Sequence, residues 1–381
     1  MNFDLSEDQV MLRDLVRDFA QKEISPRIGA YEDGHRFPKE ILARLAELGI
    51  LGMTVPAEFG GNRTDYLSYV LALEELARAS ATVCVIVSVH DSLFCGSILQ
   101  FGSDSQKKKY LPRAARGEVL GAFSLTEPGA GSDAMSLKTR AVKSGAEYIL
   151  NGTKAWVTTG GEADALIVMA RTGSEAGAPQ LSAFIVEKGF PGFIVSKIEE
   201  KMGLHSSPTA MISLEDCRVP AENLLGQEGR GAAIALAGLD GSRIGIAAQA
   251  VGLSQKALEL AVGYAKQREA FGKKIAEFQA LQFMMADIAT LVEAGRLLTY
   301  RAADLHDRGR AFGKEAAMAK LFTSEAANRI AYLALQIHGG YGYSKEYEIE
   351  RIYRDARVLS IYEGTSEIQR LVIARKLLKE S

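Results

Sequence analysis

The chain has 381 residues, enough for a substantial core and, at roughly 150 residues per domain, for two or three domains. Its 45 basic residues nearly balance 47 acidic ones, and the formal charge of −2 gives no basic field to draw it onto nucleic acid or anionic lipid. Three widely spaced cysteines (Cys84, Cys95, Cys217) make neither a disulfide framework nor a zinc signature, and five histidines include no His-x-x-x-His pair, so no metal site is expected and a reducing cytoplasm fits.

The opening stretch, MNFDLSEDQVMLRDLV, is acidic where a targeting peptide would be basic, and no apolar run reads as approaching the roughly 18 residues that cross a membrane. Ser6 with Gln9 makes a capping box ahead of Val10, Met11, Leu15 and Phe19, one face of an amphipathic helix. Pro38 starts and Gly49 stops a second helical stretch, and DYLSYVLALEELARAS keeps the 3.6-residue period. Residues 1–118 therefore read as an α-helical domain. Near residue 120 the period changes, and EYIL-NG-TKAWVTT predicts two strands joined by a tight turn at Asn151-Gly152. ADALIVMAR, LSAFIVEK, FIVSKI and AMISLEDCRV add short strands, so 119–225 reads as an antiparallel β-domain. From Gly231 long helical segments return, and 226–381 reads as a four-helix bundle, giving an α+β chain.

Two segments carry candidate chemistry. EPGAGSDA satisfies G-x-G-x-x-A between Gly129 and Ala134, but it runs into strands rather than a βαβ helix, which disfavours a Rossmann site. A glycine-rich loop remains, able to present amides and the Thr126 and Ser132 hydroxyls to a polar ligand, or simply to turn the chain. In DARVLSIYEGTSEIQR, Glu363 follows an apolar run, with Thr365 and Ser366 ready to cap a last helix. Desolvation would raise its pKa toward that of a general base; the alternative is a carboxylate that merely complements the helix dipole.

SLTEPGAGSD (124–133), NGTKAWVTT (151–159), RxxFG at Arg268–Gly272, QIHGGYGY (336–343) and IYEGTSEIQR (361–370) occur in one order along the whole chain. Each is weak alone; together they resemble the acyl-CoA dehydrogenase family, most closely its short-chain and butyryl-type members. The resemblance implies FAD, with Phe123, Leu125, Thr126 and Ser132 along the flavin ring and Trp156 and Thr158 over its dimethylbenzene side and N5; a Trp buried for packing is the alternative. It implies that Arg268, Phe271, Gln279, Gln336, Gly339 and Gly340 serve the FAD of a neighbouring subunit, within a homotetramer arranged as a dimer of dimers, and that Thr365 and Glu367 lie near adenosine or phosphates. Ser132, Asp240, Arg243 and Gly364 fall to the acyl-CoA substrate, although Asp240 and Arg243 also read as an ordinary charged pair on a surface helix.

Glu363 matches the family's base, taking the α-proton while flavin N5 takes hydride from the β-carbon, with an electron-transfer flavoprotein as acceptor. Some relatives carry the glutamate on a bundle helix instead, at the position held here by Ser242. One departure stands out: in SVHDSLFCG, Asp91 occupies a place where relatives commonly have a neutral residue. A carboxylate there suggests a base for 1,4-dehydrogenation of a cyclic unsaturated thioester, such as a cyclohexene-carboxyl-CoA; the alternative is a side chain in solvent or at a helix cap. An acyl-CoA oxidase and a non-catalytic helical binding protein are the rival functions.

Overall fold

The computed structural model describes residues 4–175 and 178–379. The capping box forms as expected: Gln9 N–H donates to Ser6 Oγ at 3.2 Å and Ser6 N–H to Gln9 Oε1 at 2.9 Å, opening α1 (Glu7–Phe19). Then come α2 (Ser25–Asp33), α3 (Lys39–Glu47), α4 (Tyr66–Ala79), α5 (Ala81–Ser88), a π-helical segment Val89–Cys95, α6 (Gly96–Phe101) and α7 (Asp104–Ala115). The stretch Ala81–Phe101 corrects one reading: at 21 residues it is long and apolar enough to cross a membrane. It is instead a core helix, with 83% of its apolar window buried inside the fold. Its π-turns insert one extra residue per turn, a local irregularity that often marks a functional position.

An eight-stranded sheet follows, built from β1 (Gly121–Ser124), β2 (Arg140–Ser144), β3 (Glu147–Val157), β4 (Ala165–Glu175), β5 (Ala178–Glu187), β6 (Phe193–Ile198), β7 (Ala210–Pro220) and β8 (Leu224–Leu225). The path runs β6-β7-β3-β2-β4-β5-β8, with β1 added on β4. The sheet is mixed rather than wholly antiparallel, because β1 and β2 both meet β4 in parallel. Asn151-Gly152 is not the hairpin turn: β3 passes straight through it, and a register shift against β7 falls there. The turn lies at Gly145 (φ +61°), between Ser144 and Glu147, which are paired. A dipeptide suited to a turn is equally suited to a bulge, and the long partner β7 holds the strand extended. Gly152 is needed there because a Cβ would lie 2.5 Å from Thr139 Oγ1.

The remainder is helical apart from one short antiparallel strand pair, Glu269–Ala270 with Lys273–Lys274, between the first two helices: α8 (Gly231–Gln267), α9 (Gln279–Asp307), α10 (Gly313–His338), α11 (Ile349–Ala356) and α12 (Ser366–Leu377). Small residues let α8 approach its neighbours closely. At Gly252 a Cβ would come 2.1 Å from the Glu74 carbonyl of α4, and at Gly245 2.5 Å from Ser88 Oγ of α5. Buried carboxyls clasp the layers. Glu32 of α2 accepts from Thr82 Oγ1 (2.5 Å) and His205 N–H (2.7 Å), while Asp355 of α11 accepts from Leu204 N–H (2.7 Å). Burial and the nearby Glu32 raise the Asp355 carboxyl to about 7.

Candidate active site

Glu363 sits in a short turn between a 3-10 segment (Arg357–Ser360) and α12. Its backbone is left-handed (φ +53°), a conformation that costs a non-glycine residue on the order of 1 kcal/mol, and Gly364 follows at φ +92°. Side chains from two helices fix the turn: Gln369 Nε2 of α12 donates to the carbonyls of Glu363 (3.1 Å) and Gly364 (2.9 Å), and Lys320 Nζ of α10 donates to Gly364 O (2.6 Å). Thr365 acts as the cap of α12, accepting from Ile368 N–H at 3.3 Å. Tyr362 OH donates to Gln249 Oε1, and Gln249 Nε2 donates to Ala81 O at 2.7 Å, so the turn is tied to α8 and α5 as well.

The carboxylate is half-buried, and Ser242 Oγ of α8 donates to Glu363 Oε2 at 2.7 Å. Burial pushes this carboxyl above the usual range, and the Ser242 hydroxyl, Lys320 and Arg243 pull back against that shift. A charged carboxylate thus costs more here than in water, and α12 begins three residues on. Arg243 is buried and pairs with Asp240, which is half-buried; the pair lies beside Glu363, not on an open surface helix.

Asp91 neither faces solvent nor caps a helix. It is 0% exposed inside the π-helical segment, and neither carboxyl oxygen has a hydrogen-bond partner. Thr54 Oγ1 reaches only its backbone carbonyl, at 3.3 Å. Burial pushes the carboxyl well above its ordinary range. Its neighbour Tyr66 donates to Gly241 O at 3.0 Å, one residue before Ser242 of α8, so the surroundings of the two acids meet on one helix turn. His90, Asp91 and Cys95 cluster closely enough to suggest a metal site, but both His90 nitrogens are engaged: Nδ1 accepts from Gly121 N–H (3.0 Å) and Nε2 meets Ala114 O (3.2 Å). Burial also lowers this imidazole to about 4.

The glycine-rich loop is anchored, not a plain turn. Glu127 accepts from the N–H groups of Lys138 (2.6 Å) and Thr139 (2.9 Å) and from Lys154 Nζ (2.9 Å), and Lys154 also donates to Leu125 O (3.0 Å). This folds residues 125–139 onto one buried ion pair, with Ala155 N–H donating to Thr126 O at 2.9 Å. Phe123, Leu125 and Thr126 are half-buried, and Ser132 is exposed. Trp156 is not a packing residue: it is 58% exposed on a left-handed backbone (φ +58°), with Thr158 half-buried two residues on.

Arg268, Gln336, Gly339 and Gly340 come together, with Tyr264 and Tyr341, around an open cavity of about 650 Å³. The Arg268 guanidinium lies 5.5 Å over the Tyr341 ring, and a Cβ at either glycine would meet nothing. Phe271, 95% exposed, and Gln279, also exposed, do not line this cavity. Glu367 is exposed beside Arg370. These features suit a large planar, phosphate-bearing group: exposed aromatics on constrained backbone, a buried Ser124 hydroxyl without a partner, and glycine-lined room beside an arginine.

Sequence reasoning missed Lys320, Gln369 and the Ser242 contact. A signal existed for the first: Lys320 falls on the buried stripe of α10, in step with Ala316, Ala317, Thr323 and Ser324, where a lysine needs a reason.

Comparison with known proteins places this geometry in a family. Three models match the chain in order: "Acyl-CoA dehydrogenase, N-terminal domain" over residues 6–118, the middle domain over 122–217 and the C-terminal domain over 229–378. The chain belongs to the acyl-CoA dehydrogenase family. It is 52% identical to an acyl-CoA dehydrogenase of Bacillus subtilis, over 98% of this chain and 99% of the relative. To the rat mitochondrial short-chain specific acyl-CoA dehydrogenase it is 49% identical, over 99% of this chain and 91% of the relative. Butyryl-CoA dehydrogenase from Megasphaera elsdenii superimposes with a TM-score of 0.97 at 44% identity, covering 99% and 100% of the two chains. The protein is thus an FAD-type acyl-CoA dehydrogenase of the short-chain, butyryl-CoA kind.

Proposed function

We propose that the chain oxidises a short-chain, branched or alicyclic acyl-CoA to the enoyl-CoA, with Glu363 removing the α-proton. The observation that carries this reading is the Glu363 carboxyl, which accepts from Ser242 Oγ at 2.7 Å and whose pKa burial raises above the usual range. The α-hydrogen is acidic only when the thioester oxygen is polarised. Among the described residues the Glu363 N–H has no backbone acceptor, which leaves it available to that oxygen. Ser132, Asp240, Arg243 and Gly364 are assigned to the thioester. Phe123, Leu125, Thr126, Ser132, Trp156 and Thr158 would hold the flavin, with Thr365 and Glu367 toward the adenosine end; bound FAD supplies the acceptor for the β-hydride. Arg268, Phe271, Gln279, Gln336, Gly339 and Gly340 would serve the FAD of a neighbouring subunit, and the exposure of Phe271 and the open cavity support a homotetramer that covers them. An electron-transfer flavoprotein is the acceptor this reading expects, and three buried free thiols suit the cytoplasm.

Asp91 favours a second, narrower reading. A buried carboxyl with two unpartnered oxygens is costly to retain without use. In a cyclohex-1-ene-1-carboxyl thioester, Asp91 would take a proton from one allylic carbon as a hydride leaves the other. The double bond then shifts, and the product is a conjugated diene two hydrogens poorer. The test is flavin bleaching under nitrogen with butyryl, isobutyryl, cyclohexanecarboxyl and cyclohexenecarboxyl thioesters. Glu363→Gln should abolish turnover of the saturated chains, by on the order of 100-fold or more. Asp91→Asn should abolish only that of the cyclohexene substrate; if cyclohexene turnover survives in Asp91→Asn, the 1,4 reading fails.

A further inference from the structure

We propose that Lys320 is a positioning residue for the base: its ammonium clamps the left-handed turn that aims the Glu363 carboxylate and supplies positive charge opposite it. The inference rests on the reading of Glu363 as the base.

Three helices converge on this turn, and each contributes something different. Ser242 of α8 touches the carboxylate itself, and Gln369 of α12 holds the carbonyls of residues 363 and 364. Lys320 of α10, 0% exposed, reaches the Gly364 carbonyl at 2.6 Å. A glutamine amide would suffice to satisfy a carbonyl, so a fully buried ammonium is an expensive choice for that task alone. Its charge has another use. The groups that face Glu363 are Ser242 and Arg243 from α8 and Lys320 from α10; those that face Lys320 are Glu363, Arg243, Glu325 and Glu367. Arg243 is already paired with Asp240, whereas among the described residues Lys320 has no carboxylate within ion-pair distance. Its charge therefore acts mainly on the base. Burial lowers the ammonium to about 8 while Glu363 opposes the loss of its proton.

Lys320→Gln keeps a hydrogen-bond donor and removes the charge; Lys320→Met removes both. The proton step can be read without turnover, as deuterium exchange of the α-hydrogens of 3-thiabutanoyl-CoA, an acyl thioester that is acidified at the α-carbon. In FAD-replete Lys320→Gln the acid limb of the exchange profile should move up by about half to one pH unit with its plateau kept. In Lys320→Met the limb should move likewise and the plateau fall about tenfold or more. The parent needs no variant: its profile should show a second inflection near pH 8, where Lys320 loses its proton. Unchanged profiles in folded variants, or a parent curve with a single inflection up to pH 10, overturn the proposal. Should Glu363→Gln exchange as fast as the parent, it is the assignment of the base that fails, whatever the Lys320 variants do.

Discussion

Replacing Asp91 by Asn should stabilise the protein by an amount that grows with pH. The two side chains have nearly the same shape, so packing cancels and the comparison isolates ionisation. Asp91 is wholly buried with neither oxygen partnered, and burial raises its folded-state pKa well above the usual value. A raised folded pKa means that the folded state prefers the protonated form. The parent's stability is then complete below the unfolded pKa and declines as pH climbs toward the folded one. The decline is about 1.4 kcal/mol per pH unit while the carboxyl stays neutral folded and ionised unfolded. Asparagine does not titrate. The gap in unfolding free energy between Asp91→Asn and parent should be near zero at pH 4 and widen by as much as about 3 kcal/mol between pH 5 and 7. Urea unfolding followed by far-ultraviolet circular dichroism, at equal FAD concentration and several pH values, measures it. A gap that stays constant with pH would show that the carboxyl finds water or a counter-charge in the folded enzyme, and the reasoning would be wrong.

Ser242→Ala removes the hydroxyl that donates to the ionised Glu363 carboxylate; with Glu363 as the proposed base, the acid limb of flavin reduction against pH should move up by about one to two units, the equivalent of a hydrogen bond to a charged group, with the plateau kept. Asp355→Asn keeps an acceptor for Leu204 N–H but removes a carboxyl raised to about 7. The parent should lose stability as pH climbs from about 4, the unfolded value, to that folded one, and the variant's Tm should fall less between about pH 5 and 7. Arg268→Ala should weaken FAD retention about tenfold or more, measured by equilibrium ultrafiltration, with helix content unchanged by circular dichroism.

The order of helices, strands and helices was legible because hydrophobic period is a local property, set by whether side chains repeat every 3.6 residues or every two. The capping box at Ser6 and the cap at Thr365 were legible for the same reason, since each involves residues three apart. Asn151-Gly152 misled because a turn dipeptide specifies permissive backbone, not its use; strand β7, some sixty residues on, made it a bulge. Ala81–Phe101 misled in the other direction, because its burial depends on what packs around it.

At the site, the sequence by itself marked Glu363 as a carboxylate in apolar company, a matter of residue type and near neighbours, while Asp91 stood out only against the family that the chain resembles. Only the tertiary structure decided what those acids feel. Ser242 lies 121 residues from Glu363 along the chain, and Lys320 lies 44 from Gly364. Desolvation and Coulomb interaction depend on distance through space, which chain spacing does not record, so the basicity of one carboxylate and the isolation of the other exist only once the helices have closed around them.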